Sequence, residues 1–222
     1  AAGNVEKFYA SGWNYGTMYD ITANAVYFDR TFSAGVKAAV CFPFSLTQEQ
    51  LEEMFGQGAK AYSITKVDAD KLEVTCTPAT GEYVVVANTP CLIEPGSNYL
   101  ASAEVTGSFS LPLTSGETLL TQAGTGYTFN GTYEYKKVLF DNTEHCYSFD
   151  PTYNGRFKYV SKSKGGIVKP FRAYIKESDT KSPANVFNLV IDNTVTNIEE
   201  YKFTEASNAP IYSITGVLVS AS

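Results

Sequence analysis

Short runs of alternating or continuous apolar residues recur along most of the chain, separated by Gly, Pro, Asn and Ser. Side chains on an extended backbone point to opposite faces in turn, so this period of two predicts half-buried strands. In the first half the runs are Ala25 to Phe28, Val36 to Phe42, Ala61 to Ile64, Lys71 to Cys76, Tyr83 to Ala87 and Cys91 to Ile93. After a turn at Glu94 to Asn98 come Tyr99 to Val105, Ser108 to Leu113, Tyr127 to Phe129 and Thr132 to Leu139. Cys146 to Phe149, Arg156 to Val160, Phe171 to Lys176 and Val186 to Ile191 complete the set. Asn130-Gly131 and Asn154-Gly155 predict hairpin turns, because both residue types accept the positive φ that a two-residue loop requires.

One segment has a helical period instead. Ser45 to Gly56 opens with a capping-box pattern, carries acids in its early turns, and sets Leu51, Met54 and Phe55 on one face, with Gly56 placed to close the end in αL. Pro43 is placed to end the preceding strand, and Pro90 and Pro95 bracket Cys91-Leu92-Ile93 as a short edge or core strand. The prediction is therefore an all-β fold, a β-sandwich or jelly-roll-like domain, with one short α-helix at about 45–56. The β pattern stops near Asp192, which predicts a main domain over 1–193. Residues 194–222 read as a linker and a terminal β-hairpin around Ile211 to Val219.

Composition narrows the function classes. Seventeen basic residues against 23 acidic ones give a net charge of −6 and a pI near 4.9, which argues against a nucleic-acid partner or an anionic membrane surface. Aromatics reach 14 % and charged residues only 18 %, too apolar a balance for a disordered chain. No run approaches the ~18 apolar residues of a membrane span, so no membrane insertion is expected. Cys41, Cys76, Cys91 and Cys146 are widely spaced with no metal-ligand pattern, and each lies in an apolar or β-like run. Buried thiols are the expectation, with disulfides as the alternative.

Chemistry-bearing motifs are sparse, and neither a catalytic set nor a metal or cofactor site is predicted. The sole histidine, His145, precedes Cys146, and neighbours on a strand point apart, so a structural histidine is expected rather than a Cys–His pair. Asp68-Ala69-Asp70 and Asp141 to Glu144 lack a calcium-loop spacing and read as solvated turns, while Glu52 and Glu53 belong to the exposed face of the helix. The basic cluster Lys162-Ser163-Lys164-Gly165-Gly166 lacks the Gly-Lys-Ser/Thr ending of a phosphate loop and reads as a hairpin turn. Phe171 and Ala173 should face one way, and Arg172 and Tyr174 the other. Arg172 is expected to pair with a carboxylate as structural glue, with a ligand contact as the alternative. Trp13, Tyr15 and Tyr19, with Phe8 and Tyr9 nearby among Gly and Asn, are the candidate ligand-binding residues, since flat rings suit stacking on a sugar or a protein partner. The competing reading makes these rings an N-terminal flap over the core.

Four stretches, taken together, carry a family resemblance. Phe32 to Phe44 followed directly by a capped helix, Ala87 to Pro95, Gly166 to Ile175, and Ile211 to Val219 resemble, in this order, segments of secreted and cell-surface β-rich modules of Bacteroidetes-type bacteria. The chain departs from that pattern at Lys37, where the family carries Trp, at Cys91, where it carries an aromatic, and at Val217-Leu218, where its terminal element is Arg-rich. The resemblance implies an exported, adhesin-like module, secreted or at the cell surface after removal of a signal peptide, with no shared catalytic residues. The functional expectation is a non-catalytic monomer, without a cofactor, that binds or adheres to a glycan or a cell-surface protein. The alternatives are a carbohydrate-active hydrolase of β architecture and a structural spacer within a larger surface protein.

Overall fold

The computed structural model describes residues 3–10, 21–28, 30–98, 103–111, 117–120, 126–133, 136–138, 145–160, 166–178, 183–192, 211–212 and 218–220. In chain order the elements are β1 (Gly3–Ala10), β2 (Ile21–Phe28), β3 (Ala38–Val40), α1 (Gln48–Phe55), β4 (Lys60–Asp68), β5 (Glu73–Pro78), β6 (Cys91–Glu94), β7 (Ala103–Leu111) and β8 (Glu117–Leu120). They continue with β9 (Tyr127–Thr132), β10 (Lys136–Val138), β11 (His145–Asp150), β12 (Arg156–Tyr159), β13 (Gly166–Val168), β14 (Arg172–Glu177), β15 (Val186–Ile191), β16 (Ile211–Tyr212) and β17 (Leu218–Ser220). The chain divides into two compact units, Ala1–Asp192 and Asn193–Ser222. In the second, β16 pairs antiparallel with β17.

In the first unit the ladders run from β11 through β12, β15, β5, β4, β6, β3 and β14, and β14 pairs back to β11. Eight strands thus close into a barrel, with β9 and then β8 added at β14. The all-β expectation holds, but the pairing does not separate into the two sheets of a sandwich or jelly roll. Closure leaves no free edge within the ring. A separate sheet joins β1, β2 and β7, and a two-stranded ladder joins β10 and β13.

Closure depends on β14. Its whole length from Arg172 to Glu177 pairs with β9, Tyr174 to Glu177 pair with β11, and Arg172 alone pairs with β3 at Val40. A seam in the wall therefore lies where β3 gives way to β11.

Two apolar layers result. Ala39, Leu92, Phe129, Phe157, Ile175 and Phe187 pack in one cluster with residues from opposite parts of the ring. Val40, Cys91 and Ile93 point to the other face and join Phe42, Phe44 and the α1 residues Leu51, Met54 and Phe55. Strands β3 and β6 are buried on both faces, which is why they read as unbroken apolar runs. Each fully buried Phe or Leu contributes about 1.5–3 kcal/mol. The helix matches its N-terminal signature, since Thr47 Oγ1 accepts from the Gln50 N–H at 3.2 Å and Gln50 Oε1 accepts from the Thr47 N–H at 3.0 Å, whereas Gly56 closes the other end at φ 92° and ψ 153°, outside the αL region expected of it.

Several expectations are corrected. Asn130-Gly131 is no turn: both residues sit inside β9, opposite Tyr174 and Ala173. A Cβ on Gly131 would collide with the Cys41 side chain, so the glycine serves close approach rather than a positive φ. Asn154-Gly155 is the predicted turn, with φ of 65° and 100°. Tyr83 to Ala87 forms only a bridge from Val85 to Leu46, because Asn88, at φ 60°, turns the chain away. Of the two readings for the strand between Pro90 and Pro95, the core one holds, since it pairs with both β3 and β4. Phe171 does not share a face with Ala173: at φ 59° it packs with the α1 cluster, while Ala173 joins the other.

Candidate functional site

The reversal at Phe171 is fixed by two hydrogen bonds. Its N–H donates to the Thr132 carbonyl at 2.7 Å, and its carbonyl accepts from the Cys41 N–H at 3.3 Å. This anchor starts β14 at Arg172 and delivers its guanidinium to the seam. From the other side comes Arg30, whose guanidinium carbon lies 4.7 Å from the centroid of the Phe32 ring, and Phe32 in turn packs edge-on against Phe55 at 5.2 Å. The two arginines line one cleft of about 220 Å³, together with Lys37, Ser148, Phe149 and Ile167.

Two of the three cations lining the cleft have no counter-ion among the described residues. Arg30 Nη1 is buried with no hydrogen-bond partner. Among the described residues neither guanidinium is paired with a carboxylate. Burial, and after it the charge of Arg172, lowers Arg30 from its ordinary 12.5 to about 9, and burial lowers Arg172 as well. Lys37 is different: its Nζ lies 2.8 Å from Glu94 Oε2, and Tyr62 Oη donates to the same oxygen at 3.1 Å. Burial alone would raise the Glu94 carboxyl, but the hydrogen bond and charge of Lys37 hold it below its ordinary 4.5. The structural-glue expectation for Arg172 is thus replaced by a guanidinium facing Arg30.

A second buried charge lies at the other end of β14. Glu177 Oε1 accepts from Tyr127 Oη and Oε2 from Tyr147 Oη, each at 2.6 Å. His145 Nδ1 stands 3.5 Å from Oε2, and its ring meets Tyr159 edge-on at 5.7 Å. Burial, and then the bond to Glu177, pushes the Tyr147 phenol above its ordinary range. His145 forms no Cys–His pair, as expected, because Cys146 turns away to pack with Val168 and Tyr174, but its Nδ1 is buried with no hydrogen-bond partner, which differs from the solvated or hydrogen-bonded histidine expected. All four cysteines are buried, and none forms a disulfide. Burial raises the Cys76 thiol to about 11.

The other sequence candidates divide simply. Trp13, Tyr15 and Tyr19 lie outside the described residues, as do Asp141 to Glu144 and Lys162 to Gly165. Phe8 and Tyr9 lie on β1. Asp68 closes a local turn, accepting from Lys66 Nζ at 2.8 Å and the Lys71 N–H at 3.1 Å. Among the described residues no three His, Cys, Asp or Glu side chains converge as metal ligands. Among the described residues no helix is long and apolar enough to cross a membrane.

No protein-family model, curated protein or solved structure matches the chain.

Arg30 carries no signal in the sequence: it follows a predicted strand and belongs to no motif. Its partnership with Arg172 is created by the closure at β14.

Proposed function

We propose that this chain is a non-catalytic binding module of an exported surface protein, and that the seam between β3 and β11 takes an anionic group of its partner, a glycan or a protein. The observation that carries this reading is the pair of arginines on one cleft, one of them with a buried, unpartnered nitrogen. A buried cation without a partner costs several kcal/mol, and a bound anion removes that cost. Arginine is also the side chain whose planar fork suits a carboxylate, phosphate or sulfate. The resemblance to Bacteroidetes-type surface modules supplies the exported setting. A hydrolase of the same architecture needs two carboxylates across a cleft, whereas the charged groups lining this cleft are cationic.

Retention on an array of glycans and matrix proteins tests the reading. Acidic members should be held and neutral counterparts released, with retention lost in Arg30→Gln. Retention of neutral members alone, or retention unchanged in Arg30→Gln, would overturn it.

A further inference from the structure

Resting on the anion-site reading, we infer that the group bound at the seam is a single carboxylate carried on an apolar body, not a sugar acid or a multiply charged phosphate or sulfate.

The lining divides by chemistry. Arg30 and Arg172 form the cationic part, while Phe149, Ile167 and Val168 form an apolar wall. Ile167 is 67 % exposed, an apolar surface beside the charges for a ligand to cover. Sugar hydroxyls are read by amide and carboxylate side chains. Among the described residues this cleft has none, and Ser148 is the one neutral hydrogen-bonding side chain there. A tetrahedral phosphate or sulfate turns charged oxygens to every side, so those directed away from the arginines would meet the side chains of Phe149, Ile167 and Val168, which donate no hydrogen bond. A carboxylate has two oxygens, one for each guanidinium, and the carbon skeleton behind it matches the Phe149–Ile167 side. At about 220 Å³ the cleft suits a small acid or the end of a longer chain. The same chemistry has two sources: a free aliphatic or aryl acid, and the terminal carboxylate of a partner polypeptide ending in an apolar residue.

Titration calorimetry on the whole chain separates these cases, with acetate, butyrate, hexanoate, glucuronate and sulfate as probes. Two peptides ending in leucine, one with a free and one with an amidated terminus, join them. Affinity should rise severalfold at each step from acetate to hexanoate, as each buried methylene contributes. Hexanoate should exceed glucuronate and sulfate by about tenfold or more. Ile167→Ser should reduce hexanoate binding about fivefold, in proportion to the apolar area lost, and leave acetate unchanged; Arg30→Gln should weaken every acid. Tighter binding of the free-terminus peptide than of hexanoate assigns the ligand to a partner chain, and the reverse assigns it to a free acid. Glucuronate or sulfate binding as tightly as hexanoate, or no dependence on chain length, overturns the carboxylate assignment but leaves the anion site standing. Absence of binding by every probe overturns both.

Discussion

The two ends of β14 bury opposite charges under opposite conditions. At Glu177 the carboxylate receives two tyrosine hydroxyls at 2.6 Å, with His145 beside it, so Tyr127 from β9 and Tyr147 from β11 are tied to a single side chain. At the seam, Arg30 and Arg172 share a cleft with no carboxylate paired to either among the described residues. The difference separates structure from function: a buried charge whose partners are all internal holds the barrel together, while one lacking them stays costly until something from outside arrives. Arg156 and Lys158 sharpen the contrast, since both reach Asp150, at 3.0 and 2.7 Å.

The largest expected effect tests the partnered end. Glu177→Ala leaves two buried hydroxyls without their acceptor and should cost about 3 kcal/mol in urea denaturation, with Glu177→Gln losing less because one acceptor remains. A cost below about 1 kcal/mol would mean that the cluster is not holding the strands. Next, Gly131→Ala, opposite Ala173 at the seam, should cost about 2 kcal/mol by forcing Cys41 aside; tolerance of alanine would contradict the close approach of β9 to the Cys41 side chain.

The unpartnered end predicts the opposite sign. Arg172→Met removes an uncompensated cation and should stabilise the unliganded chain by about 1 kcal/mol, an outcome foreign to a structural ion pair. The smallest effect concerns Asp150. Burial alone would raise its carboxyl, but hydrogen bonds from Lys158, Thr152 and Arg156 hold it below the ordinary 3.8. A depressed acid contributes stability that is present above its unfolded pKa and disappears as pH falls through its folded one. Asp150→Asn should therefore cost about 0.5 kcal/mol at pH 7, and the difference should fade as the solution is acidified below 3.8.

Local chemistry was legible in the sequence where it is decided locally. The Thr47–Gln50 capping box, the Asn154-Gly155 turn and the opposed directions of His145 and Cys146 depend on a few adjacent residues. Asn130-Gly131 has the same turn signature as Asn154-Gly155, yet its glycine answers to Cys41, a neighbour brought by topology. Barrel closure was equally hidden, because alternation says that a strand has two faces but not which strands share β14. The arginine pair falls in this second class: Arg172 drew notice in its strand, Arg30 did not, and only the three-way pairing of β14 puts them on one cleft. Trp13, Tyr15 and Tyr19, chosen for their ring chemistry, lie outside the described residues.

The most direct measurement is a pair of thermal melts, with hexanoate and with chloride at equal ionic strength, on the natural chain and on Arg172→Met. A ligand at a hundredfold its Kd adds about 2.7 kcal/mol, and each kcal/mol moves the midpoint of a chain this size about 2–4 °C. The natural chain should rise by several degrees in hexanoate, and the variant should start higher and stay where it is. An equal rise in both proteins, or a variant that starts lower, would contradict an anion site built on unpartnered arginines.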